Sequence, residues 1–179
     1  MAQMSDEQLA KEVSEGSDDS FHKLLERHGQ SIFKFARRMT AQKEEAEDIV
    51  QETFLRFWLN AEKYQAQKSK LTTWLHRVAY NLCIDKRRQS QASAKLPGAE
   101  MDATVRPDDF YSSVQISRRV AEELSKLTEA QRCAVVLTHY QNFSNKEVAH
   151  ILDISVDALE SVLRRARNKL KQNLTEIRQ

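Results

Sequence analysis

From Gln91 to Gln115 the chain reads QASAKLPGAEMDATVRPDDFYSSVQ and sustains no apolar period. Both prolines of the molecule, Pro97 and Pro107, fall in this segment with Gly98; the remaining glycines are Gly16 and Gly29. Structureless stretches beyond about 12–15 residues are uncommon inside one compact domain. The segment therefore reads as a flexible linker over 91–115, between an N-terminal domain (1–90) and a C-terminal domain (116–179). Elsewhere the chain has two glycines and no proline, against an average of about 7% Gly and about 5% Pro. That scarcity excludes a turn-rich all-β architecture. The expected fold is all-α: two small helical domains joined by a linker.

The apolar residues support this reading. Ser5 and Gln8 have the spacing of a capping box, which opens a short helix that Gly16 ends. Phe21, Leu24, Leu25, Ile32, Phe33, Phe35 and Ala36 form a stripe over 20–39, which Gly29 can interrupt or bend. Ile49, Val50, Phe54, Phe57 and Trp58 form a second stripe over 44–60. Trp74, Leu75, Val78, Ala79, Leu82 and Cys83 form a third over 72–88.

The C-terminal half is punctuated more sharply. Ile116–Leu127 is amphipathic. Thr128 with Gln131, and Ser144 with Glu147, are two further capping boxes. The first opens a helix through about Tyr140, and the second a short helix to about Leu152. Asp153-Ile154-Ser155 is a tight turn, and Ser155 caps a longer helix with Leu159, Val162, Leu163, Ala166 and Leu170 inward. A short helix, a turn and a longer helix with a basic outer face make a helix-turn-helix pattern.

The net charge of +2 conceals blocks. Residues 1–62 carry 8 basic and 13 acidic side chains, and residues 63–90 carry 7 basic and 1 acidic. Residues 91–160 carry 7 basic and 11 acidic, and residues 161–179 carry 6 basic and 1 acidic. Two basic blocks framed by acidic ones fit two polyanion-binding surfaces; each block alone also fits a solvated helix face. The two cysteines, Cys83 and Cys133, are too far apart in sequence for a CxxC motif and fit core positions in a reducing compartment. The five histidines make no zinc pattern, and His76 reads as a surface residue. No nucleophile elbow, phosphate loop or dinucleotide fingerprint occurs. The expectation is no catalytic residue, no metal and no cofactor. The acidic N-terminus lacks a signal-peptide core, and no apolar run is long enough to span a bilayer. The expected location is the bacterial cytoplasm, without membrane insertion.

Three runs carry a resemblance. Residues 48–58 read DIVQETFLRFW, residues 71–85 read LTTWLHRVAYNLCID, and residues 127–131 read LTEAQ ahead of the helix-turn-helix. Together these resemble the bacterial extracytoplasmic-function (ECF) sigma factors of the sigma-70 family, over about residues 18–174. The resemblance implies a transcription initiation factor. Such a factor binds core RNA polymerase through its β′ clamp helices and β subunit, reads minus-ten and minus-thirty-five promoter elements and promotes DNA opening. It also implies an anti-sigma factor as a further partner.

Residue roles follow by the same resemblance. Asp48, Gln51, Glu52, Leu55 and Arg56 lie opposite the buried stripe of their helix and would meet core polymerase. Leu55, apolar among acids and amides, suits a helical partner. Tyr64, Lys68, Lys70, Arg77, Tyr80, Asn81, Arg87 and Arg88 would meet the single-stranded minus-ten element. There the cations neutralise phosphates, the aromatic rings offer faces to bases, and the Asn81 amide offers a donor and an acceptor to a base edge. Ser144, Lys146, Asp157, Ala158, Glu160, Ser161, Arg164, Arg165 and Asn168 would meet the duplex minus-thirty-five element, with Arg167 beside them. Glu160 and Val162 depart from the family, where basic residues are common. A glutamate there can accept from cytosine N4 or repel phosphate. The linker acids Glu100, Asp102, Asp108 and Asp109 would follow a basic channel of the polymerase. The alternative function is a dimeric helix-turn-helix regulator of duplex DNA. That reading explains 144–172 but leaves the acidic helix and the first basic block without a role.

Overall fold

The structure is a computed structural model, and it describes residues 4–40, 42–94 and 113–176. Eight α-helices and two short irregular turns make up these residues, with no strand among them. Helix α1 is Asp6–Ser14, α2 Asp18–Thr40, α3 Lys43–Asn60 and α4 Leu71–Ala94. Helix α5 is Ser113–Ser125, α6 Glu129–Val135, α7 Asn145–Leu152 and α8 Val156–Glu176.

Helix starts follow the side-chain chemistry of their caps. Ser5 accepts from the Gln8 amide while Gln8 reaches back to the Ser5 amide. The same reciprocal box forms at Thr128–Gln131 and at Ser144–Glu147. Each box satisfies two donors that a helix end would otherwise leave without a partner. Gly16, at φ +93°, closes α1 where a side chain would be strained. Gly29 leaves α2 unbroken. Helix α4 runs on past Arg88 to Ala94, further than the apolar stripe indicates, and Gln89, Ser90 and Gln91 there are exposed polar residues. The linker acids Glu100, Asp102, Asp108 and Asp109 lie outside the described residues.

Helices α1–α4 pack around Leu9, Leu24, Ile32, Phe35, Ile49, Phe57, Leu71 and Leu75, all fully buried. Burying one such side chain stabilises by about 1.5–3 kcal/mol. Trp74 sits edge-on to Phe57 at 5.7 Å, as a core residue does. Helices α6–α8 close a second core around Cys133, Leu137, Ile151 and Leu159. Between α6 and α7 the chain takes a wide π-type turn over Val136–Tyr140.

The two domains are in contact, with α7 lying on α4 and the α6 region meeting α2. Buried Arg132 of α6 stitches them together. Its Nη1 donates to the Met39 carbonyl (2.7 Å), Nε to Leu124 (2.8 Å) and Nη2 to Ser125 (2.9 Å). Ser31 and Gln141 exchange two hydrogen bonds, at 2.6 and 3.0 Å. Arg38 stacks on the Tyr140 ring. His76, 1% exposed, lies between Phe35 (5.5 Å) and Phe143 of the second domain (4.7 Å). This corrects the expectation of a surface histidine: the second domain covers a position that local sequence leaves at a helix surface.

Candidate functional site

Helix α4 serves two surfaces. On one side it forms a groove with α3, lined by Asp48, Gln51, Glu52, Leu55 and Arg56 from α3 and Leu82, Asp85, Lys86 and Gln89 from α4. All five residues expected at a polymerase-facing surface stand on this one wall. Leu55 is 50% exposed. Lys86 Nζ donates to Asp48 Oδ2 at 2.9 Å, and Arg56 Nε to Glu52 Oε1 at 2.8 Å, so these four charges of the rim are paired with one another. Sequence reasoning missed the opposite wall. It also missed Leu59, 66% exposed and one turn beyond Leu55. The i, i+4 spacing of the two leucines was the available signal.

The other side of α4 carries Arg77, Asn81 and Arg88 at i, i+4, i+11 spacing, with Lys70 immediately before the helix. Asn81 and Arg88 line an open groove with Tyr80, Ile84, Asp85 and Arg56, and Thr128, Glu129 and Ala130 of the second domain form its far wall. Asn81 is exposed, so its amide is presented to the groove. Burial holds the Tyr80 hydroxyl up at about 12, so it stays a neutral donor.

Not all expected DNA residues gather there. Tyr64 is packed against the core and donates from its hydroxyl to the Ser69 carbonyl at 3.1 Å, closing the loop before α4. Burial, reinforced by Glu7 and Asp6, raises this phenol to about 12. Lys68 is exposed on that loop. The remaining cations are engaged across the domain boundary. Lys70 Nζ pairs with Glu147 at 2.9 Å, Arg77 Nη2 with Asp153 at 3.4 Å and Arg87 Nε with Glu129 at 3.0 Å. Burial alone would raise the Glu147 carboxyl, but hydrogen bonds from Lys70 and Ser144 outweigh it and lower it.

The helix-turn-helix forms as expected. Helix α7 ends at Leu152, and Asp153 takes the left-handed conformation at φ 57°, ψ 46°. Asp is among the few non-glycine residues that visit this region routinely. The Ser155 hydroxyl then accepts from the Ala158 amide at 3.1 Å and starts α8. Leu159, Leu163 and Ala166 face inward. Asp157, Glu160, Arg164, Arg165, Arg167 and Asn168 are exposed, while Ala158 and Ser161 are half-buried. Lys146 is exposed beside the start of α7. Ser144 is occupied by its capping box, donating to Glu147 at 2.7 Å and accepting from its amide at 3.4 Å.

Among the described residues no group of three or more His, Cys, Asp and Glu side chains could hold a metal ion. No described helix is long and apolar enough to cross a membrane.

Residues 24–93 match Sigma-70 region 2, and residues 117–170 match Sigma-70, region 4. The chain is 32% identical over 172 residues to the RNA polymerase sigma factor NccH of Alcaligenes xylosoxydans xylosoxydans, covering 92% of each chain. It is 29% identical over 179 residues to the ECF RNA polymerase sigma factor SigW of Bacillus subtilis, covering 93% of this chain and 95% of SigW. Among solved structures, CnrH in complex with the cytosolic domain of CnrY superposes with a TM-score of 0.74 at 28% identity, covering 96% and 97% of the two chains. The sigma factor RpoE, solved with the anti-sigma factor NepR from Bartonella quintana, shares the fold with a TM-score of 0.73 at 24% identity, over 87% of this chain and 96% of that one. With two domains of this kind and relatives matched along nearly their whole length, the chain belongs to the ECF sigma factors of the sigma-70 family, which are transcription initiation factors of RNA polymerase and not a family of enzymes.

Proposed function

We propose a division of labour in which residues 1–90 dock on core RNA polymerase and read the minus-ten element, and residues 116–179 read the minus-thirty-five element. The observation that carries this is the two-sidedness of α4. One flank forms the acidic, leucine-bearing groove with α3, and the other presents Arg77, Asn81 and Arg88 in a row. The groove residues Asp48, Gln51, Glu52, Leu55 and Arg56 suit a helical protein partner, the β′ clamp helices. An exposed leucine framed by charges gives apolar contact with a polar rim.

On the far flank, Arg77, Arg88, Lys68 and Lys70 neutralise strand phosphates. Asn81 hydrogen-bonds an unstacked base, and the Tyr80 hydroxyl stays available as a donor. Tyr64 acts by holding the loop in place, and Arg87 as a further cation. In the second domain Arg164, Arg165, Asn168, Glu160 and Asp157 enter the major groove, with Ala158 and Ser161 closing the contact. Lys146 and the α7 start meet phosphates, and Ser144 holds that start. The linker 91–115 connects the two readers along the polymerase. Chemistry belongs to the polymerase, so this chain needs no cofactor. The site of action is the bacterial cytoplasm. An anti-sigma factor is a further partner, supported by the likeness to CnrH.

The test is transcription by purified core polymerase with this protein on a promoter-fragment library, with and without Asn81→Ala. The expected result is specific initiation, lost in the variant at open-complex formation while core binding is kept. Absence of core binding by the unaltered protein would refute the assignment.

A further inference from the structure

Helix α8 is charged unevenly along its outer face. Glu160, Arg164 and Arg167 are exposed and stand at i, i+4, i+7, so they form one stripe. The acid occupies the end nearest the helix start, and the cations follow it. Buried Leu159 and Leu163 on the inner face fix the direction of this stripe. Asp157 has a structural reason to be acidic: it lies in the first turn, where unpaired amides carry a partial positive charge. Glu160 lies beyond that turn. Arg164 offers it the favourable i+4 spacing for an ion pair, yet among the described residues none hydrogen-bonds or pairs with its carboxylate. The packing of the domain makes no use of this charge.

A carboxylate can only accept hydrogen bonds. In a major groove the donors on base edges are the N4 amino group of cytosine and the N6 amino group of adenine. Beside adenine N6 stands N7, an acceptor that repels a carboxylate, whereas beside cytosine N4 stands a ring C–H. Guanine and thymine present acceptors there, and phosphates repel the acid everywhere. We propose that Glu160 is a specificity-determining residue of the minus-thirty-five reader, its carboxylate accepting a hydrogen bond from the N4 amino group of one cytosine. This rests on the placement of α8 in the major groove, with the start of the helix against base edges. Arg164 and Arg167 behind it supply attraction to any duplex. The acid weakens that attraction at every site and is compensated only where the cytosine stands, so one negative charge sharpens selection.

The test uses holoenzyme assembled from core RNA polymerase and the full chain, with the unaltered sequence, Glu160→Gln, Glu160→Ala or Arg164→Ala. Each is offered duplexes randomised over a segment long enough for both promoter elements. Retained fragments are sequenced over successive rounds, and the bases enriched at each position are compared. Glutamine and alanine are both sound helix formers at this exposed position. Glutamine keeps the size of the side chain, but its amide presents a donor and an acceptor together, which match adenine N7 and N6. Arg164→Ala reports independently whether α8 touches the upstream element.

The unaltered chain should enrich one cytosine in the minus-thirty-five element, favoured about 5- to 20-fold over the other bases. Glu160→Gln should replace that cytosine with adenine at the one position, and Glu160→Ala should leave the position without preference. An upstream motif that Arg164→Ala alters and Glu160→Gln leaves unchanged overturns the proposal. So does a Glu160→Gln chain that binds all sequences more tightly by one factor with no base changed, since the carboxylate then acts only by repelling phosphate. Loss of the whole upstream motif in both Glu160 variants also overturns it, making the residue a prop of the domain. If the unaltered chain enriches no upstream motif, or if Arg164→Ala and both Glu160 variants leave that motif as it was, α8 is not the duplex reader, and the underlying assignment fails with it.

Discussion

Protonating His76 should loosen the folded chain, and the structure gives the size of the effect. The ring is enclosed by Phe35 and Phe143, its Nδ1 bonds to the Thr72 carbonyl at 2.8 Å, and its buried Nε2 has no hydrogen-bond partner. Burial lowers its pKa from 6.5 to about 4, outweighing the Thr72 hydrogen bond. A base whose folded value lies below its unfolded value binds more protons when unfolded. Its contribution is therefore intact above pH 6.5 and is lost as pH falls toward 4. The full span is worth about 3 kcal/mol, of which ~2 kcal/mol is lost between pH 7 and pH 5.

His76→Phe keeps the aromatic packing and removes the titrating group and its unpaired nitrogen. Urea unfolding of both proteins at pH 7 and pH 5 isolates the histidine, because every other titrating group is common to the two. The unaltered chain should lose ~2 kcal/mol more than His76→Phe on acidification. With slopes of about 1–3 kcal/mol per molar urea, the midpoint then moves about 1 M further. Parallel losses in the two proteins would refute the reasoning, as would an NMR titration placing His76 near 6.5.

Three further outcomes follow from the same contacts. Arg132→Met keeps the apolar stem but leaves the Met39, Leu124 and Ser125 carbonyls without their donor, and should cost about 1–3 kcal/mol in urea unfolding. Leu55→Asp should leave stability within about 0.5 kcal/mol, since the side chain is exposed, while weakening core-polymerase binding about tenfold or more in a competition assay. Arg164→Ala should weaken binding to a minus-thirty-five duplex and, where the arginine meets phosphate, reduce the slope of log affinity against log salt by about 1.

Local signals were legible wherever the physics is local. A Ser or Thr three residues before a Gln or Glu located three helix starts correctly, because a capping box is closed by neighbours in sequence. The groove wall from Asp48 to Arg56 followed from the period of a single helix. His76 and Arg132 did not. Each is a polar residue buried by groups far along the chain, Phe143 for the first and the Met39 carbonyl for the second. No spacing rule announces such a partner. The π-type turn at Val136–Tyr140 is likewise hidden in the sequence, since its apolar residues keep a helical period up to the turn. Tyr64 looked like a free aromatic ring in a basic loop, and it instead ties that loop to itself.

Arg56 and Asp85 line both grooves that flank α4. On the roles proposed above, docking and base reading share one rigid ruler. From Arg77 to Arg88 this ruler advances about 16 Å at 1.5 Å per residue, and inserting or deleting one residue would rotate one surface against the other by about 100°. A lineage of such chains can thus change the bases it prefers through the loop at 65–70 or through exposed side chains on the far flank. It cannot re-space the helix without also misaligning its grip on the polymerase.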